Sequence, residues 1–246
     1  MPANWIVPAL SFSALVPALL LHEVAHGWVA LLCGDRTAKE AGRLSLNPLR
    51  HVDPFMSVVL PAILALSGSR VLFGGAKPVP IDLWRCRNPR RAYWMIAAAG
   101  PLCNFAQALV GAGLLHALAA GVAAAAGGAG GLFRVFGTAF TARDPFFGDF
   151  AVNFSEAAWV QWAELWLLCY CSTNVALMVF NLLPVPPLDG SRIVTSLLRG
   201  RVQRAYAGLE RHGLLLVFAL LYFPQTGRFL SRAVSAVLSL LGIGFD

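Results

Sequence analysis

His22, Glu23 and His26 stand in the stretch LHEVAHG (21–27), inside an almost unbroken apolar run from Trp5 to Cys33. On an α-helix, two histidines four positions apart project from one face, about 6 Å apart along the axis, so both imidazoles can hold one Zn2+. Glu23 follows His22 by one position and points about 100° around the helix from it. There its carboxylate can take the proton of a water that attacks a carbonyl. Ionisable groups in an apolar surrounding are costly, and three within five positions need a compensating partner. The plainer alternative is a set of polar side chains bonding a neighbouring helix.

A catalytic zinc usually has three protein ligands and one open position, so a carboxylate must come from elsewhere in the chain. Asp189 is the best candidate. It closes NLLPVPPLDG (181–190), where Pro184, Pro186 and Pro187 stop an apolar helix and force an extended turn. Gly190 permits the backbone to come close. Its rivals are weaker: Glu164 and Glu156 belong toward the opposite side, and Glu210 reads as a salt-bridged loop residue. Asp35 and Asp53 suit by position without comparable local geometry. His51 is a candidate fourth ligand, or a support for the turn before residue 54.

The elements that must position these groups are membrane spans. The chain has 246 residues, 58% apolar and 13% charged, which favours one membrane-embedded domain, 1–246, over a soluble one. Stretches 6–33, 54–73, 92–118, 158–183 and 213–242 each approach or exceed the roughly 20 residues of a helical crossing. The last is interrupted by Pro224 and Gly227 and reads as one kinked span or two shorter helices. The opening MPANWIVPAL lacks a basic region and a small-residue cleavage pattern, so no removable signal peptide is expected. Although the net charge is +7, the arginines collect at 85–91 and 192–211 between apolar runs, as in cytosolic loops, which argues against nucleic acid as a partner. Five cysteines without a C-x-x-C pair give no disulfide or zinc framework.

Charge bias places 74–91 and 184–212 inside and 119–157 outside, with Trp159, Trp162 and Trp166 as an outer aromatic belt. Residues 34–53 carry four positive and three negative side chains and decide nothing. Depth decides instead: if His22 and His26 act with Asp189, the helices 6–33 and 158–183 run in the same direction. Segment 54–73 then dips in and returns as a re-entrant element; a full crossing is the competing expectation. RLSLNPL (43–49) alternates and FGGAKPVPID (73–82) is extended in composition, so the two are expected to pair as a short membrane-associated β-hairpin or sheet.

These residues together resemble the site-2 protease family of intramembrane zinc metalloproteases, peptidase family M50. HEVAHG (22–27) resembles its zinc-binding helix, NLLPVPPLDG its third-ligand motif, and AGPLCN (99–104) its G-P-x-x-N element, all within residues 20–195. The resemblance implies an all-α polytopic protein of the cell membrane, with its active site toward the cytosol. It implies a zinc-dependent endopeptidase that cuts transmembrane segments of single-span or other membrane proteins within the lipid bilayer, often after a site-1-type protease has trimmed them. His22, His26 and Asp189 would hold one Zn2+ per chain, with Glu23 as general base. Asn104 and Asn181, in apolar helices near the depth of Asp189, are read as groups that bond an extended substrate or stabilise an oxyanion; helix–helix bonding is their plainer role. No insertion of PDZ size separates 118 from 158, and no CBS domain is expected after 212, so regulation by such modules is not expected. An inactive scaffold that binds transmembrane segments and a transporter are the rival functions.

Overall fold

The computed structural model describes residues 6–51, 53, 77–125, 138–144, 148–154 and 158–243. Helix α1 spans Ile6–Cys33 and is followed by a single turn, α2, at Thr37–Glu40. Helix α3 spans Pro89–Ala125, and after the strands β1 (Thr138–Asp144) and β2 (Gly148–Phe154) comes α4 at Ala158–Asn181. Helices α5 (Asp189–Leu197), α6 (Gly200–Ala207), α7 (Gly213–Tyr222) and α8 (Pro224–Leu240) complete the chain.

Three of these helices, over 9–33, 89–121 and 159–181, are long and apolar enough to cross a membrane. They form the bundle, and its directions follow from which residues meet. Trp166 donates its indole N–H to Ser13 Oγ (3.0 Å), Asn104 reaches Ala18 O (3.3 Å), and His26 reaches Ile96 O (2.6 Å). Rising numbers on α1 therefore match falling numbers on α3, and since Gln107 meets Tyr170 (2.7 Å) and Asn104 meets Asn174 (2.8 Å), falling numbers on α3 match rising numbers on α4. Helices α1 and α4 run in the same direction, and α3 runs against both.

Association between lipid-embedded helices depends on close packing rather than on hydrophobic burial. The contact residues are accordingly small: Ala14, Ala18 and Ala30 on α1 and Ala108 and Ala112 on α3 are buried. At Gly111 a Cβ would come within 2.7 Å of Cys171 Sγ. The expected stretch 213–242 is two helices: the segment Gly200–Tyr222 and helix α8 meet at 84°. Pro224 opens α8, where its missing N–H leaves no helical bond unmade, and Phe223 before it is extended. The turn lets Val234 and Leu238 of α8 join Ala108, Ala112, Leu115, Cys171 and Val175 in the main core.

Among the described residues the expected β-hairpin between 43–49 and 73–82 is not formed, and this corrects the sequence reading. Ser45 Oγ accepts from Asn47 N, Asn47 Oδ1 accepts from Leu49 N, and Pro48–Arg50 is a 3-10 turn. Residues 77–82 are without strand assignment and lie in no ladder. Pro78 and Pro80 have no N–H to contribute to one. Among the described residues the β-ladder lies elsewhere, as the antiparallel pair β1 and β2 running from Thr138↔Phe154 to Asp144↔Gly148. The expected re-entrant segment 54–73 lies outside the described residues. Its flanks meet, since Lys77 N donates to His51 O (2.8 Å).

Asp35 ties the end of α1 to residue 82. Its carboxylate accepts from Thr37 N (2.9 Å), Thr37 Oγ1 (2.5 Å) and Asp82 N (2.7 Å), and the residue is fully buried. Burial alone would raise this carboxyl, but the three donors hold it below the usual carboxylate range. Its contribution is therefore complete above the unfolded value of about 3.9 and is lost as pH falls through the lower folded value. Asp35→Ala should cost about 1–3 kcal/mol, seen as a lower thermal midpoint in detergent. The gap from wild type should stay constant from about pH 8 to about pH 5 and narrow only in stronger acid; a gap that already closes near neutrality would contradict this account.

Candidate metal centre

Helix α1 carries His22 and His26 on one buried face, and α5 begins with Asp189. The turn between α4 and α5 returns Asp189 to the bundle. Leu183 N donates to Phe180 O, Val185 N to Leu183 O and Leu188 N to Val185 O, while Pro184, Pro186 and Pro187 offer no donors to continue the helix. Gly190 then packs on the end of α4, where a Cβ would lie 2.2 Å from Leu182 O. No other residue type fits that approach.

The result is a cluster of three buried atoms. His22 Nε2 and His26 Nε2 lie 3.1 Å apart, and Asp189 Oδ2 lies 3.2 Å from the first and 3.3 Å from the second. Tautomers follow from the partners of the other ring nitrogens. His26 Nδ1 faces Ile96 O (2.6 Å), a carbonyl that can only accept, so Nδ1 carries the proton. Asn104 Nδ2 donates to Ala18 O and Asn174 Oδ1, which orients its amide so that Oδ1 accepts from His22 Nδ1 (2.6 Å). As neutral imidazoles, both rings thus turn an Nε2 lone pair inward, toward a carboxylate oxygen that has no hydrogen-bond donor. Three acceptors at such distances repel one another unless a cation lies among them. Ligands about 2.0–2.1 Å from a tetrahedral zinc are about 3.3 Å from each other, so the donor set and spacing fit that ion. The imidazole N–H groups held by Asn104 and Ile96 are the outer support such a centre needs.

Gly100 completes the cradle from α3. A Cβ there would lie 2.4 Å from His22 Cε1 and 2.5 Å from His26 Nε2. The adjacent Pro101 has no N–H to give the preceding turn of α3. Glu23 is half-buried on the neighbouring face of α1, and its Oε2 accepts from Val79 N (3.2 Å).

The other sequence candidates separate from this cluster. Asn104 is fully buried, with its amide engaged by His22, Ala18 and Asn174. Asn181 is half-buried and donates to Leu177 O of its own helix (3.0 Å). His51 supports the turn: its Nε2 donates to Ser45 O (3.0 Å), and burial, aided by the Arg43 charge, lowers its basicity. Glu210 faces Arg192 at 3.8 Å, and Arg192 also approaches Asp189 Oδ1 at 3.8 Å. Glu164 is buried on α4 and Asp35 bonds Thr37 and Asp82, while Glu156 lies outside the described residues. Among the described residues, His22, His26 and Asp189 are the group of His, Cys, Asp and Glu able to share a metal. Sequence reasoning missed Ile96 O and Val79 N, which are backbone groups with no signal in residue type. Gly100 was visible as the glycine of the G-P-x-x-N resemblance, but not as the wall against the two imidazoles.

The pattern that defines Peptidase family M50 matches residues 11–222. YwhC of Bacillus subtilis (strain 168), a zinc metalloprotease by name, is 33% identical over 218 residues, which cover 87% of this chain and 80% of that protein. Rip2 of Mycolicibacterium smegmatis, likewise a zinc metalloprotease by name, is 29% identical over 217 residues, 88% of this chain and 68% of the relative. Rip2 of Mycobacterium tuberculosis is 28% identical over 241 residues, 98% of this chain and 73% of the relative. No solved structure matches the chain significantly.

Gly100→Ala tests the cradle. The added methyl must displace the two imidazoles, so purified protein should lose most of its bound metal while far-ultraviolet circular dichroism keeps the helix content. Wild-type metal content in that variant would show that the rings do not need the space.

Proposed function

The chain belongs to peptidase family M50 and is a zinc-dependent intramembrane protease, and on that premise we propose that His22, His26 and Asp189 hold a single zinc ion while Glu23 moves the protons of peptide hydrolysis. The observation that carries this reading is the cluster of three mutually close acceptors with no donor between them. A zinc ion held there would supply Lewis acidity, polarising a carbonyl oxygen and lowering the pKa of water.

The chain's own groups do the rest. Glu23 projects beside the imidazoles, and the Val79 N–H holds its Oε2 at 3.2 Å. That carboxylate takes a proton from the attacking water and delivers it to the leaving amine nitrogen, a role worth about 10²–10⁴ in rate. Asn104 has no free amide for an oxyanion, so we assign it to holding the His22 ring. Asn181 keeps the reading of a substrate-facing or oxyanion-stabilising group. A scissile amide within a helix is shielded by its own hydrogen bonds, so the substrate segment must unwind to reach the centre. Transmembrane segments of single-span proteins fit this demand. Prior trimming by a site-1-type protease fits too, since a bulky extramembrane domain would hold a segment away from a centre buried among helices. The scaffold and transporter readings gain no support from the relatives.

The active site faces the cytosol in this proposal. Arg85, Arg87, Arg90 and Arg91 precede α3, and Arg192, Arg199, Arg201, Arg204 and Arg211 follow Asp189, so basic residues gather at the end of the bundle that holds the cluster. Cysteines placed at Ser45 and Asn88 in a cysteine-free background should both be shielded from an impermeant reagent outside the cell. Labelling of both from outside would reverse the orientation, and labelling of position 45 alone would instead favour a fully spanning 54–73.

Replacing His22, His26 or Asp189 by Ala should remove zinc and activity together, and full zinc occupancy in Asp189→Ala would sink the third ligand. Glu23→Gln should keep zinc and lose about 10²–10⁴ in cleavage rate. Expressed in its own membrane, that variant should co-purify with single-span proteins that the wild type cuts. Cleavage at the wild-type rate by Glu23→Gln would remove Glu23 from the proton-moving role.

A further inference from the structure

The segment Lys77–Asp82 passes beside Glu23, and side chains hold its backbone at three points. At its far end Asp82 N donates to Asp35 Oδ2 (2.7 Å), and in its middle Val79 N donates to Glu23 Oε2 (3.2 Å). At its near end stands Arg43, a residue buried between the turn at 48–50 and the returning chain. One terminal nitrogen of its guanidinium donates to Arg50 O; the other donates to Lys77 O (2.5 Å) and Pro78 O (3.4 Å). A second tie joins the same two segments, from Lys77 N to His51 O (2.8 Å).

This arrangement controls where one particular N–H points. Lys77 and Val79 each precede a proline, which holds them extended. The N–H groups of alternate residues in an extended chain point the same way, so the side on which Lys77 is pinned is also the side of the Val79 N–H. Pro78 and Pro80 flank Val79, restrict the backbone and contribute no donors of their own. The Val79 side chain packs against Gly27, one turn beyond Glu23, where a Cβ would come within 3.1 Å of Val79 Cγ1. With Lys77, Asp82 and the Val79 side chain fixed, the Val79 N–H has one place to go, and Glu23 occupies it.

We propose that Arg43 is a positioning residue for Glu23: by pinning Lys77 and Pro78 to Arg50 it aims the Val79 N–H at the Glu23 carboxylate, so that one oxygen is held and the other is left to receive the proton. The proposal rests on the endopeptidase reading for its functional consequence, but the clamp itself is a property of the fold. Arg43 suits the task because a planar guanidinium presents donors in two fixed directions. An ammonium on the lysine stem offers its donors from one nitrogen and does not reproduce the two fixed directions of the guanidinium.

The test uses the full chain in nanodiscs, as wild type, Arg43→Ala and Arg43→Lys. Three readouts are taken: amide hydrogen exchange of the peptide covering 77–82, bound zinc, and cleavage of a tagged single-span test protein whose transmembrane helix contains Gly and Pro. Only Lys77, Val79, Ile81 and Asp82 carry exchangeable amides there, so loosening of Val79 is readable. Both variants should exchange 77–82 faster, retain zinc at the wild-type level, and lose about ten- to a hundredfold in kcat with KM little changed. Arg43→Lys keeps the charge and the fold, which separates lost aim from lost folding; it should resemble Arg43→Ala and not the wild type. Unchanged exchange in both variants would overturn the clamp, and faster exchange with unaltered kcat would overturn its effect on Glu23. If wild type cleaves no membrane substrate, the endopeptidase reading fails, while the exchange readout still decides the clamp.

Discussion

Two imidazole nitrogens and a carboxylate oxygen cannot rest about 3 Å apart in an apolar helix bundle on their own account. With both rings neutral each is an acceptor, each is buried, and the one proton of each ring points to a partner on its far side. A cation among them turns mutual repulsion into coordination, and much of the bundle can be understood as the means of holding those atoms together. The parallel course of α1 and α4 is one consequence, because Asp189 follows α4 and must arrive at the depth of His22 and His26. The antiparallel α3 is another, since it supplies Asn104, Ile96 O and the bare backbone of Gly100 at that level.

Polar groups within the bundle form an ordered network and not scattered pairs. Asn174 holds Asn104, Asn104 holds His22, and Gln107 accepts from Tyr170 while its amide reaches Ala18 O, 3.5 Å away. In a surrounding where water cannot satisfy a stray donor, such a chain specifies the rotation of each helix about its axis. The alanines and glycines on the same faces then let the backbones close to the distance at which those hydrogen bonds are made.

At the end of the bundle that carries the cluster, the connections are tied by side chains to backbone groups. Asp35 and Arg43 do for residues 77–82 what a strand partner would have done, giving acceptors and donors to a segment whose prolines prevent a regular ladder. The apolar surface around the bundle, with Trp28, Leu32, Leu102 and Leu114 exposed, meets lipid, whereas the basic residues collect beside the tied loops.

What could be read from the amino-acid order is what depends on near neighbours. The pair His22 and His26 shares a face because a helix has 3.6 residues per turn, whatever surrounds it. Asp189 stood out because the prolines before it act on their own backbone. The apolar lengths of the bundle helices and the break before Pro224 are equally local. The β-hairpin beside the site was misjudged for the opposite reason: alternation in RLSLN is compatible with a strand, but pairing is decided by a partner far along the chain. Here the partner's prolines and the capping by Ser45 and Asn47 chose a turn. The orientation of Asn104 toward His22, the need for Gly100, the backbone groups of Ile96 and Val79, and the reach of Arg43 to Lys77 were left to the tertiary structure. Each is a contact between residues 34 to 82 positions apart. Residue type alone carries no record of which distant atoms the folded backbone will bring within 3 Å.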